Sequence, residues 1–381
     1  MISNNRINYL DYAKAIVIMV VITVHIGFYQ LNSNILFAMP LFFVVTGYSF
    51  TLGKRTIKES VFLRFKTVMI PFWIFMLLYT AVEVVRAYVF RYGNYGIAFA
   101  SLANTVYGSG MIPFENGIAS YLKEIMSYKA QPIHGVDVIL PANCHLWFLP
   151  AAFTGYVMFV SLVERTNKNN WIKVICIAGL LAIASIEVVF PTVCQLPYGI
   201  GRGGIAAAFM LVGYWLKDKK ILERKTVKFN VLVCIVAVAL YIGALCLGSD
   251  GSSMVRSYYG PYGAASVCIT FVGGTCGAVL LLQMCRLLDK LPYKRIKKFL
   301  SFMGKNVMVF YVLHMFVKFI FDAIYIYLLH SGRDILLDEY KMALLPETSA
   351  VYMIFEIVAI IAVCFTVAKL RQYTKISAKK E

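Results

Sequence analysis

The sequence predicts an all-α, polytopic bundle that spans a membrane about ten times, with both termini in the cytoplasm. Three observations carry that expectation. The 381 residues are 60% hydrophobic and 15% charged, with a mean hydropathy of +0.73. Apolar runs of about twenty residues recur along nearly the whole chain, and each is long enough to cross a bilayer. The net charge of +18 resides mainly in short gaps between those runs, which is the positive-inside pattern of a membrane protein. These features exclude a soluble fold, and no nucleic-acid partner is expected despite the basic balance. Residues 1–381 read as a single integral domain, multi-pass in the cell (cytoplasmic) membrane and in contact with its lipid.

The expected spans are 9–29, 35–53, 67–90, 147–163, 171–190, 199–216, 229–247, 263–286, 301–329 and 348–369. The N-terminus starts like a signal peptide, but Asp11 and Lys14 interrupt it and no small-x-small cleavage site follows. An uncleaved first span is therefore expected. Alternate gaps are rich in Lys and Arg: residues 54–66, 165–168, 217–228, 290–298 and 371–380. The gaps between these are poor. Residues 30–34 and 191–198 hold no basic side chain, 248–262 holds Arg256, and 330–347 sets Arg333 and Lys341 against Asp334, Asp338, Glu339 and Glu347. The alternation holds for ten spans and breaks if 301–329 is divided.

Residues 91–146 form an unusually long outer connection, read as an ordered extracytoplasmic cap or as a plain spacer. The segments FFVVTGY at 42–48 and FMLVGYW at 209–215 echo one another, and Gly47 and Gly213 are small enough to let helices approach closely. Nine cysteines are scattered without CxxC or Cys/His spacing, so structural thiols and no metal are expected. Cys144 and Cys194 fall in expected loops, and their pairing stays open.

The most informative stretch is 6–48, which joins the first two spans. Asp11, Lys14 and His25 interrupt an otherwise apolar run, and ionisable groups inside a span are costly and usually functional. On a helix turning about 100° per residue, Lys14 and His25 lie within roughly 20° of one face, and Asp11 is about 40° from His25. Lys14 and His25 are about 16 Å apart along the axis. The stripe therefore suits a path better than one compact site.

This stretch resembles the start of membrane-bound acyltransferase 3 proteins, especially the sugar O-acetyltransferase, fucose 4-O-acetylase-like branch. The matching residues are Asp11, Lys14, His25, Pro40, Leu41, Phe42, Phe43, Gly47 and Tyr48, with Thr46 where the family usually has Ser. The resemblance implies an O-acyltransferase with acetyl-CoA as donor and a hydroxyl of an envelope glycan or lipid-linked sugar as acceptor. It implies His25 as the general base, where the bland alternative is a packing or headgroup-level histidine. It gives Lys14, oriented by Asp11, and the basic pair Arg64 and Lys66 before Pro71 a share in holding the donor's phosphates. The alternatives for these are snorkelling, lipid contact and topology.

Three further segments match the family's later motifs. HLWFLPA at 145–151 makes His145 and Trp147 candidate outer-site residues, against a plain interfacial aromatic anchor. Arg202, in GIGRGG, is a candidate for facing a carbohydrate or an oxyanion, or else a snorkelling edge residue. Tyr311 and His314 match a Tyr-x-x-His pattern, with Lys318 and Asp322 on the same face and expected to neutralise one another. Glu83 with Arg86, Glu187 and Glu356 read as packing or topology features.

The leading reading places catalysis on His25, His145 and His314, donor binding on Asp11, Lys14, Arg64 and Lys66, and acceptor binding on Arg202, Trp147 and Tyr311. The pantetheine arm would run along the first helix. A transporter or flippase of a polar or anionic lipid would use the same stripe as a conduit, but it predicts broken helices and two related halves. A non-catalytic protein on the same scaffold is the third reading.

Overall fold

The computed structural model describes residues 7–26, 35–89, 144–166, 169–189, 197–224, 226–249, 262–330 and 350–377, and the single residues 102 and 105. Among them the regular structure is entirely helical. The helices are α1 Asn8–His25, α2 Ala38–Ser49, α3 Ile57–Arg64, α4 Ile70–Val89, α5 Phe148–Thr166, α6 Asn170–Val189, α7 Ile200–Asp218, α8 Val227–Cys246, α9 Ala264–Lys290, α10 Lys294–Lys305, α11 Val307–His330 and α12 Ala350–Ser377. Short 3-10 turns Cys144–Trp147 and Pro197–Gly199 lead into α5 and α7. The expected cap at 91–146 and the partner cysteine Cys194 lie almost wholly outside the described residues.

Six described helical stretches are long and apolar enough to cross a membrane, and a seventh is reached if the bent pair α10 and α11 is one span. The expected count of ten is therefore not established, and some elements fall below span length. Helix α2 has 12 residues, too few to cross the bilayer core at about 1.5 Å each. Helix α7 is the axis of the bundle, with 89% of its apolar window buried, whereas α8 is peripheral, with 11% buried. The composition of α7 accounts for this. Its run GRGGIAAAF carries small side chains, so α2, α5 and α6 pack onto its backbone at short range. Gly47 of α2 sits against the backbone of Met210, and Gly213 of α7 against the backbone of Val44. The echo between the two segments is thus a reciprocal glycine crossing.

At one end, where the basic gaps gather, polar bolts join the elements. Lys217 Nζ donates to the Phe50 carbonyl at 2.6 Å and to Thr51 Oγ1 at 3.2 Å, fixing the end of α2 to the end of α7. Tyr9 donates to Tyr48, and Tyr48 to Glu223 Oε1, each at 3.1 Å. Tyr12 donates to Asp289 Oδ1 at 3.1 Å. Tyr48, noted above as a motif residue, is therefore part of the scaffold.

Helix α3 begins at a capping box: Glu59 N–H donates to Thr56 Oγ1 at 3.2 Å, and the Glu59 carboxylate accepts from Thr56 N–H at 2.9 Å. It runs through a π-helical turn, Phe65–Met69, into α4. Pro71, just inside α4, lacks an N–H and crowds the carbonyl four residues back, so the wider turn relieves the conflict.

The expected ninth span, 301–329, is not one straight helix. The chain breaks at Asn306, and α10 and α11 meet at 80°. Asn306 N–H donates to Phe302 and Met303 carbonyls, and its side-chain amide donates to Phe302 at 2.9 Å. Those bonds satisfy carbonyls that the broken helix leaves open. Helix α10 is basic on one face (Lys294, Arg295, Lys297 and Lys298) and buries Leu300, Met303 and Gly304 on the other, a pattern suited to a bilayer surface. Gly304 lies directly against the Asp11 backbone.

The glycine crossing yields a direct expectation. Gly213→Ala places a methyl group on the Val44 carbonyl and lowers stability by about 2 kcal/mol or more. Gly243→Ala, where nothing stands within 4 Å of the new methyl, is neutral or stabilising. Thermal unfolding of the two purified variants in one detergent compares them, and equal melting temperatures would refute the crossing.

Candidate active site

Helix α1 holds its three ionisable residues inside the protein. Asp11 is 2% exposed, and its carboxylate lies 2.7 Å from the Lys14 ammonium. An ion pair one helical turn apart keeps Lys14 in a defined direction. His25, the last residue of α1, meets α11: its Nδ1 lies 2.7 Å from Nε2 of the buried His314. The two rings are nearly coplanar, at 3°, with centroids 5.0 Å apart.

The geometry fixes which nitrogens carry hydrogen. His314 Nδ1 is 2.7 Å from the Tyr311 carbonyl oxygen and 3.2 Å from that of Phe310. A carbonyl only accepts, so Nδ1 of His314 is the donor, and the neutral ring then offers a lone pair at Nε2. His25 Nδ1 consequently donates to it, and the neutral His25 ring carries its lone pair on Nε2. A proton taken up at His25 Nε2 leaves that hydrogen bond in place and strengthens it as a charge-assisted one.

The break at Asn306 makes this pairing possible. Because α11 begins at Val307, His314 lies only about 10 Å along it, half the depth implied by a span starting at 301. Further along α11, Lys318 has a carboxylate beside it that the sequence reading did not pair with it. Lys318 Nζ lies 3.4 Å from Glu356 Oε1 on α12, and the Asp322 side chain is outside the described residues. A carboxylate four residues away on the same helix was legible in the sequence, whereas one brought in by α12 was not.

A cavity of about 600 Å³ leads toward the imidazole pair. Its basic end is lined by Lys14, Lys54, Arg55 and Arg64, and no carboxylate is among its described lining residues. Ser49, Thr51, Ser60 and Thr67 add hydroxyls there. The Arg64 guanidinium stands 5.3 Å from the Tyr156 ring, and its buried Nε has no hydrogen-bond partner among the described residues. Such a group favours an anion that accepts from it. Deeper in, the walls are Phe42, Val45, Thr46, Phe148, Leu149, Ala152, Val307, Met308 and Tyr311. The Thr46 hydroxyl, noted above for replacing Ser, donates to the Phe42 carbonyl at 2.8 Å.

The cavity reaches Tyr311 but not the imidazoles, which are absent from its lining. Tyr311 bridges the gap, with its ring centroid 6.1 Å from His314 and 5.4 Å from Phe148. Only Lys14 of α1 lines this space; α2, α3, α5 and α11 supply most of the rest. Lys66 is exposed, its ammonium 4.4 Å from the Phe62 ring, and it does not line the cavity.

Arg202 and Trp147 form a pair outside the cavity. Both are buried, with the Arg202 guanidinium 5.6 Å from the Trp147 ring centroid. Trp147 in turn contacts Phe148 at 6.1 Å between centroids. Rings thus run in sequence from Arg202 through Trp147, Phe148 and Tyr311 to His314 and His25. The backbone of His145 lies in the 3-10 turn Cys144–Trp147, and its side chain is outside the described residues. Sequence reasoning missed Tyr156 and the hydroxyls of Ser49, Thr51, Ser60 and Thr67. The only signal for them was polar side chains where apolar runs end. No cluster of metal-ligating side chains occurs among the described residues.

No curated protein and no solved structure matches the chain. A family model described as an acyltransferase domain, Acyl_transf_3, matches residues 7–369. That match spans the stripe of α1, the glycine crossing, the cavity and the imidazole pair, and with the apolar helices it fits a multi-pass membrane acyltransferase: the chain belongs to the acyltransferase 3 family.

Proposed function

We propose that the protein is a membrane O-acyltransferase that moves an acyl group, acetyl by preference, from cytoplasmic acyl-CoA to a hydroxyl of an envelope glycan or lipid-linked sugar at the outer face. The observation that carries this reading is the cavity that opens among four cations and ends one tyrosine ring short of the His25–His314 pair. The basic end takes the cytoplasmic side by the distribution of Lys and Arg. A donor with phosphates at one end and a thioester on a long arm at the other has the same polarity as the cavity.

Lys14, Lys54, Arg55 and Arg64 would hold the phosphates, with Asp11 keeping Lys14 in place. His25 Nε2 would take the proton of the acceptor hydroxyl as its oxygen attacks the thioester carbonyl carbon. The tetrahedral intermediate would collapse by breaking the carbon–sulfur bond, and the departing thiolate would recover the proton from His25. Arg202, placed beside Trp147, is the candidate for contact with the acceptor. His145 remains a candidate for the outer site.

The membrane reading is tested in the native host. Surface glycan from wild type carries an acyl mass increment, and His25→Ala lowers transfer by about 10²- to 10⁴-fold. An unchanged increment in the variant removes His25 from the mechanism, and no increment in either strain favours a transporter or a non-catalytic protein. The donor side is tested separately. Lys54→Gln with Arg55→Gln raises KM for acyl-CoA about tenfold while kcat holds, because the phosphates are bound alike in ground and transition states. Initial rates in vesicles with the basic face outward measure this, and an unchanged KM removes the cations from donor binding.

A further inference from the structure

A second cavity, of about 680 Å³, lies between the start of α8 and the end of α9, and shares no lining residue with the first. Three cations line it, Arg224, Arg286 and Lys290, with no carboxylate among the described lining residues. Arg224 stands over the Phe229 ring at 4.3 Å, and Arg286 also donates to the Leu222 carbonyl.

Two polar atoms inside it lack hydrogen-bond partners among the described residues. Gln283 is 7% exposed, and its buried amide nitrogen has no hydrogen-bond partner among the described residues. Asn230 donates to the Arg224 carbonyl at 3.0 Å, yet its buried Oδ1 accepts from nothing described. A buried amide left unmet is unfavourable, and an apolar side chain would fill the same wall at less cost. An occupant that both accepts and donates hydrogen bonds resolves both. The remaining wall is apolar and open to the surroundings. Val227, Val231, Ile235 and Leu287 are exposed, and they continue the outer face of the peripheral helix α8.

We propose that this cavity binds an anionic glycerophospholipid with a hydroxylated headgroup, of the phosphatidylglycerol class. The phosphate pairs with the cations. A headgroup hydroxyl accepts from Gln283 Nε2 and donates to Asn230 Oδ1. One acyl chain lies along Val231, Ile235 and Leu287. Cations merely snorkelling to a bilayer surface would bind any anionic headgroup alike, without using the two amides.

The test uses the full-length protein purified in detergent and titrated by native mass spectrometry with phosphatidylglycerol, phosphatidic acid and phosphatidylcholine of the same acyl chains. Wild type retains phosphatidylglycerol over both others. Arg224→Gln with Lys290→Gln loses about fivefold in affinity per cation removed, and Gln283→Leu binds phosphatidylglycerol no better than phosphatidic acid. Equal retention of phosphatidylglycerol and phosphatidylcholine by wild type, or an unchanged preference in the double variant, overturns the site. Undiminished discrimination in Gln283→Leu overturns the headgroup assignment.

A measurement on the unsubstituted protein removes dependence on the variants' folding. Cys234 lines the cavity, so phosphatidylglycerol slows its alkylation, followed by peptide mapping, while phosphatidylcholine and free glycerol 1-phosphate do not. An unchanged rate with phosphatidylglycerol, or equal protection by glycerol 1-phosphate, overturns lipid binding there.

Discussion

The crossing of α2 and α7 is the constraint on which the candidate site depends. Two glycines, Gly47 and Gly213, each receive the backbone of the other helix, at Met210 and Val44. In hydrocarbon no hydrophobic driving force holds helices together, so close backbone contact and dispersion must do it. The consequence is positional. With α2 held flush on the buried axis, its opposite side, carrying Phe42, Val45, Thr46 and Ser49, becomes a wall of the cavity. The Lys217 bond to the Phe50 carbonyl closes the end of that crossing, and the segment leading to Lys54 and Arg55 leaves from there. Helix α2 is too short to span a bilayer alone, and packing along its length compensates.

The broken rod α10–α11 does for depth what the glycines do for width. Had the chain run straight through Asn306, residue 314 would stand a further turn or more from the start of its helix, well away from the level set by Lys14 and Val307. The break turns α10 aside, where Gly304 settles on the Asp11 backbone, Lys297 donates to the Asp289 carbonyl, and Lys294, Arg295 and Lys298 are exposed. A chain separation of 289 residues is thereby closed to 2.7 Å between the two imidazoles. The Tyr311 carbonyl then selects the tautomer of both rings through one continuous donor–acceptor order. A backbone carbonyl cannot change its role, so in the neutral pair the order of donors and acceptors is set from the His314 side.

How much of this the sequence disclosed follows from the range of each interaction. The Asp11–Lys14 pair is local, three residues apart on one helix, and periodicity alone places it. The helical class, the basic gaps and the echo of Gly47 with Gly213 were also legible, because composition and small-residue spacing report on them directly. The contact of Lys318 with Glu356 was not, because it exists only where α12 packs on α11. The bend within one expected span was illegible for a related reason. An apolar run such as 301–329 does not reveal a bend at Asn306, since the bonds that stabilise the break are made by the backbone N–H and side-chain amide of one residue. The cavity's hydroxyls lie on several segments that only the tertiary packing brings together.

On the proposed reading, the aromatic rings at the inner end of the cavity carry a second burden besides shape. A protein that passes an acyl group from one face of a membrane toward the other must not pass water or protons with it. Phe148 and Tyr311, 5.4 Å apart between centroids, stand between the hydroxyl-lined basic end and the imidazoles, and Phe43 stacks behind Phe148 at 4.9 Å. A wall of that kind disfavours a continuous file of water, which protects a thioester from hydrolysis while it waits for the acceptor. The Tyr311 carbonyl fixes His314 while its ring closes the cavity, so one residue couples access to the acyl donor with orientation of the base. On that reading, movement of the ring would admit the acyl carbon toward His25 without disturbing the hydrogen-bond order, because the carbonyl belongs to the helix and the ring does not.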